Sequence, residues 1–290
     1  MSTVAFVPIS ARRRRVDKLA RGLVALLTAV ALLPLVLVLY YLVKQGIGAI
    51  SLDFFTTDPS GSFLGDPGGI KSAIVGTILM VGLASVVAVP VGVGVAIWLV
   101  EFGRESKLAH AVRYFIDVMT GVPSIVFGLF VYITLVIAGV GGSSFAGWKG
   151  STALALLMLP IVTRSAEVVL LLVPNPLREA AYALGAPRWK VVFRIVLPTA
   201  LPGIVTGVLL AVARAAGETA PLLFTAAVVN ATAFNYNDRM NSLPVLIFQN
   251  VGQAQDRLVT IAWGAALTLV AMILMLTLLA RLIQRRSRLS

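Results

Sequence analysis

Cysteine is absent from the chain, which removes disulfide frameworks, thiolate metal sites and cysteine nucleophiles and leaves the compartment open. Histidine is nearly absent: His110 sits among basic residues with no second ligand type beside it, so no metal site is assigned. Charge is scarce too, with 12% Asp, Glu, Lys and Arg against 59% hydrophobic residues and a mean hydropathy of +0.96. A soluble globular chain of 290 residues does not have that composition. No G-x-x-x-x-G-K-[ST] string occurs, and the nearest approach, Gly69-Ile70-Lys71-Ser72, lacks the loop, so ATP binding by this chain is not expected. Tandem repeats and low-complexity linkers are also missing.

What remains is the pattern of an all-α integral membrane protein. Apolar segments near 21–43, 71–100, 112–138, 150–173, 198–225 and 258–281 each reach the ~20 residues needed to cross a bilayer. Of the 24 basic residues, 17 fall in one alternate set of connections, which includes both termini, and 5 in the other. The positive-inside rule therefore places both termini in the cytoplasm, and the net charge of +12 reads as topology rather than nucleic-acid binding. The tract Arg12 to Arg15 imitates a secretory signal, but the apolar run from Gly22 to Val43 is too long for one, so it is read as a retained first span, with the basic tract as its topology anchor rather than a nucleic-acid or lipid-binding patch. The resulting organisation is a basic tail over 1–20, a first span and outer loop over 21–70, a transmembrane domain over 71–281 and a basic tail over 282–290.

Within the spans, Gly76, Gly82, Gly92 and Gly94 are candidates for close helix approach, and Pro90 predicts a kink. Gly121, Pro123 and Gly128 predict a weakened third span beside a cavity. Ser242 to Phe248 is a candidate short helix in the outer loop after the fifth span. Residues 174–198 differ from all of this, being polar, basic and punctuated by proline. Their pattern predicts two short helices, the first capped by Asn175 and stopped at Gly185, the second placing Trp189, Val192, Phe193 and Val196 on one apolar face. Such a hairpin projecting from a bilayer suits docking on a soluble partner.

Two ion-pair candidates lie inside spans: Arg164 with Glu167 at i, i+3, and Arg214 with Glu218 at i, i+4. A charge at the bilayer centre costs about 2.5–3.5 kcal/mol on insertion scales, so these groups should face the bundle interior, a water-filled path or each other. Buried pairs are weak stability devices, which favours an anion path, since guanidinium forks match tetrahedral oxyanions. A carboxylate beside the arginine favours phosphate over sulfate, because phosphate keeps a P–OH proton at neutral pH and sulfate has none. At about 1.5 Å per residue, Arg164 lies about 15 Å and Arg214 about 24 Å from the inner ends of their spans.

Glu179-Ala180-Ala181, then Gly185, then Ile195-x-Leu197-Pro198 resembles the EAA motif of ABC-importer permeases. Gly121-Val122-Pro123-Ser124-Ile125-Val126-Phe127-Gly128 and the run Arg214-Ala215-Ala216-Gly217-Glu218-Thr219-Ala220-Pro221-Leu222-Leu223 resemble phosphate permeases of the PstA type over about residues 50 to 280. That resemblance implies a type I ABC-importer permease in the bacterial cytoplasmic membrane, paired with a homologous permease as a heterodimer. It further implies two ATP-binding subunits, which would use ATP and Mg, and an extracytoplasmic phosphate-binding protein. It implies a substrate path for inorganic phosphate at Arg164, Glu167, Arg214, Glu218, Thr219 and Asp117, and ATPase coupling at Glu179, Ala180, Ala181, Gly185 and Trp189. No catalytic residue is assigned. The competing readings are a permease for sulfate or molybdate, a membrane enzyme built on intramembrane carboxylates, and a non-transporting scaffold or sensor of phosphate status.

Overall fold

A chain with few charges and long apolar runs can satisfy its backbone in lipid only by helix or closed barrel. The computed structural model describes residues 11–61, 67–103, 106–142 and 144–287; Arg104, Arg288 and the first ten residues of the basic tail, all part of the cytoplasmic reading, lie outside them. Among the described residues the regular structure is helical apart from one isolated bridge, Pro59 to Gly68. The helices are α1 (Ala11–Gly46), α2 (Leu52–Thr56), α3 (Lys71–Ile97), α4 (Lys107–Gly121), α5 (Ser124–Val131), α6 (Gly147–Leu171), α7 (Asn175–Ala183), α8 (Arg188–Val191), α9 (Leu197–Ala216), α10 (Ala220–Thr225), α11 (Leu243–Val251) and α12 (Asp256–Ser287). Three π-helical stretches, Trp98–Phe102, Tyr132–Ile137 and Val192–Val196, join onto α3, α5 and α8.

Five helical runs are long and apolar enough to span a membrane, and the pair Lys107–Gly121 and Ser124–Ile137 makes a sixth if its two halves are counted together. Those halves are bent by 102°, so the third segment is not the single rod from 112 to 138 that its composition suggests. Pro123 is the cause. The residue before a proline is driven out of the helical region, and Val122 is extended at φ −72° and ψ 131°. Gly128 does not weaken the helix; a Cβ there would sit 2.6 Å from Pro221 Cα, so it is a point of close approach between α5 and α10.

The fifth segment also departs from 198–225. It starts at Arg188 and runs through the π turn Val192–Val196 into α9, so the second short helix is the foot of a span rather than a separate element. Pro198 has no N–H to give to the preceding turn, and the widened turn absorbs that loss. The span stops at Ala216, and α10 restarts with Pro221 in its first turn, where a missing N–H costs nothing.

α6 is the packing centre. Its buried face meets α3 through Met80, Ala84, Leu154, Met158 and Val162, and its inner end joins Val100, Val173, Ala181, Val192 and Val196 in a second core cluster. Gly92 allows the closest approach of α3, since a Cβ there would lie 2.9 Å from Val162 and 3.2 Å from Thr163. Gly76 packs on the Asn241 carbonyl, whereas Gly82 and Gly94 face open space and have no packing role among the described residues. α3 remains helical through Pro90. α11 fulfils the outer-loop helix, and it is packed rather than surface-lying: Leu243 and Leu246 are buried with Phe54, Ile70 and Ala265. Lys149, assigned to an outer connection, is buried at the start of α6, where Nζ donates to the carbonyls of Leu135 at 3.0 Å and Ser144 at 3.3 Å.

Candidate functional site: intramembrane arginines and the EAA hairpin

The inner half of α6 carries the first cluster. Glu167 is buried, and its two oxygens are both occupied: Oε1 accepts from Arg113 Nε at 2.6 Å and Oε2 from Arg164 Nη1 at 3.0 Å. Arg113 comes from α4, the half-span set at an angle by Pro123. Its role carries no sequence signal, because it meets Glu167 across 54 positions. The Arg164 side chain is 49% exposed, and its Nε lies 3.8 Å from Asp117 Oδ1, beyond hydrogen-bond length, with Asp117 open as well. Glu167 is therefore held on both oxygens and buried, and of the two carboxylates at this arginine Asp117 is the exposed one with no hydrogen bond to the arginine.

Arg214 lies in the last turn of α9, and its side chain is 55% exposed. Glu218 is not on the same helix, since the helix ends two residues before it; its carboxylate stands 3.7 Å from Arg214 Nε, a loose pair. Thr219, the residue before α10, is half-buried, and its hydroxyl makes no capping bond. A cavity of about 460 Å³ opens among the outer loops, lined by Asn230, Asn241, Gln249, Asn250 and Gln253, and neither arginine lines it.

The hairpin from 174 to 198 is the second feature. Pro174 occupies the cap of α7 and Asn175 is its first residue, so Asn175 makes no capping bond; its side chain faces Arg178 instead. The stop at Gly185 is as read. Gly185 adopts φ +76°, its N–H donates to the Tyr182 carbonyl at 2.9 Å, and the Ala186 N–H donates to that of Ala181 at 3.1 Å, the two bonds of a Schellman cap. Glu179 and Ala180 are exposed and Ala181 is buried, so the motif has one open face and one against the bundle. The proposed apolar face of the second helix is split. Val192 and Val196 are buried while Trp189 and Phe193 are exposed, because the π turn rotates the chain between them.

What anchors this hairpin was not visible beforehand. Arg178 is buried and donates through Nε at 3.2 Å and Nη2 at 3.0 Å to Oε1 of Glu101, 77 positions away in the π turn at the end of α3. It also donates to the carbonyls of Leu170 and Val173 at the end of α6. Arg188 closes the other side by donating to the Glu101 carbonyl and stacking 5.1 Å over the Phe102 ring. Only the residue types, a carboxylate and an arginine at span ends, hint at such a pair.

Residues 88–289 match the family of binding-protein-dependent transport system inner membrane components. The chain is 40% identical over 270 residues to the phosphate transport system permease protein PstA of Haemophilus influenzae, spanning 93% of this chain and 94% of that one. It is 41% identical over 272 residues to the protein of the same name from Yersinia pestis, spanning 93% and 90%. Among solved structures it resembles a chain of the bacterial alginate ABC transporter in complex with an alginate pentasaccharide-bound periplasmic protein, at TM-score 0.68 and 16% identity over 95% of this chain and 96% of that one. It also resembles a chain of the methionine ABC transporter MetNI in an inward-facing conformation, at TM-score 0.58 and 20% identity over 75% and 94%. At these identities the two structures establish a shared fold.

Proposed function

The chain belongs to the binding-protein-dependent transport system inner membrane components, and from that membership and its PstA relatives we propose that it is the permease subunit of an ATP-driven inorganic phosphate importer. Separate ATPase subunits and a binding protein follow from the family in general. In the finer reading the chain pairs with a homologous permease and two ATPases hold the ATP and Mg. Its termini are cytoplasmic, and a phosphate-binding protein delivers substrate to the outer side.

One observation carries the reading. Arg164 and Arg214 sit on apolar spans, yet about half of each side chain is uncovered by this chain. A permanent cation so placed in lipid is costly, so both belong against a partner subunit or a water-filled path, where their forks bind an oxyanion in transit. Asp117, exposed where Glu167 is buried, supplies the acceptor for the P–OH proton. Alternating access then exposes the anion to either side as the ATPases close and open.

The test is phosphate uptake by vesicles holding the full complex, with this chain present, omitted or carrying Arg214→Gln, each with and without excess sulfate. Uptake that needs the chain, ignores sulfate and is lost in an assembled Arg214→Gln complex is expected. Uptake unchanged by that substitution would remove Arg214 from the path, and inhibition by sulfate would widen the substrate class to oxyanions in general.

A further inference from the structure

We propose that the buried Glu101–Arg178 pair is a positioning link through which the ATPase-facing helix α7 sets the orientation of the path arginine Arg164. This goes one step beyond the importer reading and rests on it. The π turn at the end of α3 is held at three points by arginines from three other elements. Arg178 of α7 holds the Glu101 carboxylate, Arg188 of α8 holds the Glu101 carbonyl, and Arg113 of α4 donates through Nη2 to the Leu99 carbonyl at 3.0 Å. Arg113 then holds one oxygen of Glu167, whose other oxygen holds Arg164. Apart from the π turn's own backbone, every step from α7 to Arg164 is a charge-assisted hydrogen bond of 3.2 Å or less.

Stability alone is a poor reason for this arrangement. The Arg178 and Glu101 side chains are 5% and 2% exposed, and a buried pair of that kind is commonly matched or bettered by apolar groups of similar volume. What an apolar pair cannot do is hold direction. Arg178 grips the carbonyls at the end of α6 together with Glu101, so α7, the inner end of α6 and the π turn are bound to shift together. A π turn is also a place where helical register can change, which gives the link a discrete element to bias.

The experiment uses the complete complex in sealed vesicles and reads phosphate carried per ATP hydrolysed. In Glu101→Met/Arg178→Met, which removes both charges together, the ATPase subunits should still co-purify and hydrolyse ATP within about twofold of the parent, while phosphate per ATP falls at least about tenfold. A parental ratio in this variant overturns the proposal. Should the double variant fail to co-purify, Glu101→Gln, which keeps an acceptor oxygen for Arg178, carries the same comparison with an expected fall of about threefold, and an unchanged ratio again overturns it. A parent complex that carries no phosphate would sink the importer reading instead, and that control is read before either variant.

Discussion

Glu167 and Asp117 both face Arg164, one with each oxygen bonded in a buried site and the other 3.8 Å away and open. Removing the buried carboxylate leaves Arg113 without its acid partner and Arg164 with only Asp117, at a cost of about 3 kcal/mol, whereas an exposed, unbonded carboxylate contributes about 0–1 kcal/mol. Glu167→Ala should therefore lower the midpoint of thermal unfolding of the purified complex well below that of Asp117→Ala, and equal midpoints would contradict the buried, twice-bonded state of Glu167. The spacing of Arg164 and Glu167 was legible as one helix face. Arg113 and the Glu101–Arg178 pair were not, because their partners are separated by 54 and 77 positions and meet only after α3, α4 and α6 have packed. Sequence pattern carries local neighbours; it does not carry those meetings.

Spans are legible at the scale of elements because burial in lipid demands long apolar runs, and their ends are legible where a proline or a glycine forces the backbone. Gly121-Val122-Pro123 and Gly217 held the information for both breaks, but not the 102° bend, which depends on where α4 finds its packing partners. The glycines make the same point, since four in α3 look alike in sequence and differ in space. A methyl group at Gly92 meets Val162 and Thr163 in the closely packed seam between α3 and α6, while one at Gly94 meets nothing within 4 Å. Overpacking costs about 1–3 kcal/mol, and alanine for glycine in an open helical site gains up to about 1 kcal/mol. Gly92→Ala should accordingly unfold at a lower temperature than the parent and Gly94→Ala at the same or a higher one. The reverse order would mean that α3 and α6 are not packed through Gly92.

For the whole molecule, the end that carries the α7–α8 hairpin is where apolar surface stands outside any expected lipid. Leu184 is 88% exposed, two residues after Tyr182, which is also exposed, and next to the left-handed Gly185 that turns the chain back toward the bilayer. Arg188, Lys190 and Arg194 follow within ten residues, interleaved with the exposed Trp189 and Phe193, so cations stand among the apolar side chains. An apolar anchor with a charged rim is the composition of a protein docking site. The fold adds a reason for it to be firm. Ala181 and Arg178 of α7 are buried against the ends of α3 and α6, so the anchor stands at the end of a backed helix rather than on a loose loop. Leu184→Asp should then reduce the ATPase subunits recovered with the complex by about tenfold, the equivalent of ~1.4 kcal/mol, without changing the amount of this chain in the membrane. Leu184→Met, which keeps the apolar bulk, should leave recovery at the parental level. Equal recovery of the ATPases with the aspartate variant would place their docking contact elsewhere on the chain, and loss with both variants would point to a packing role for Leu184 that its exposure argues against.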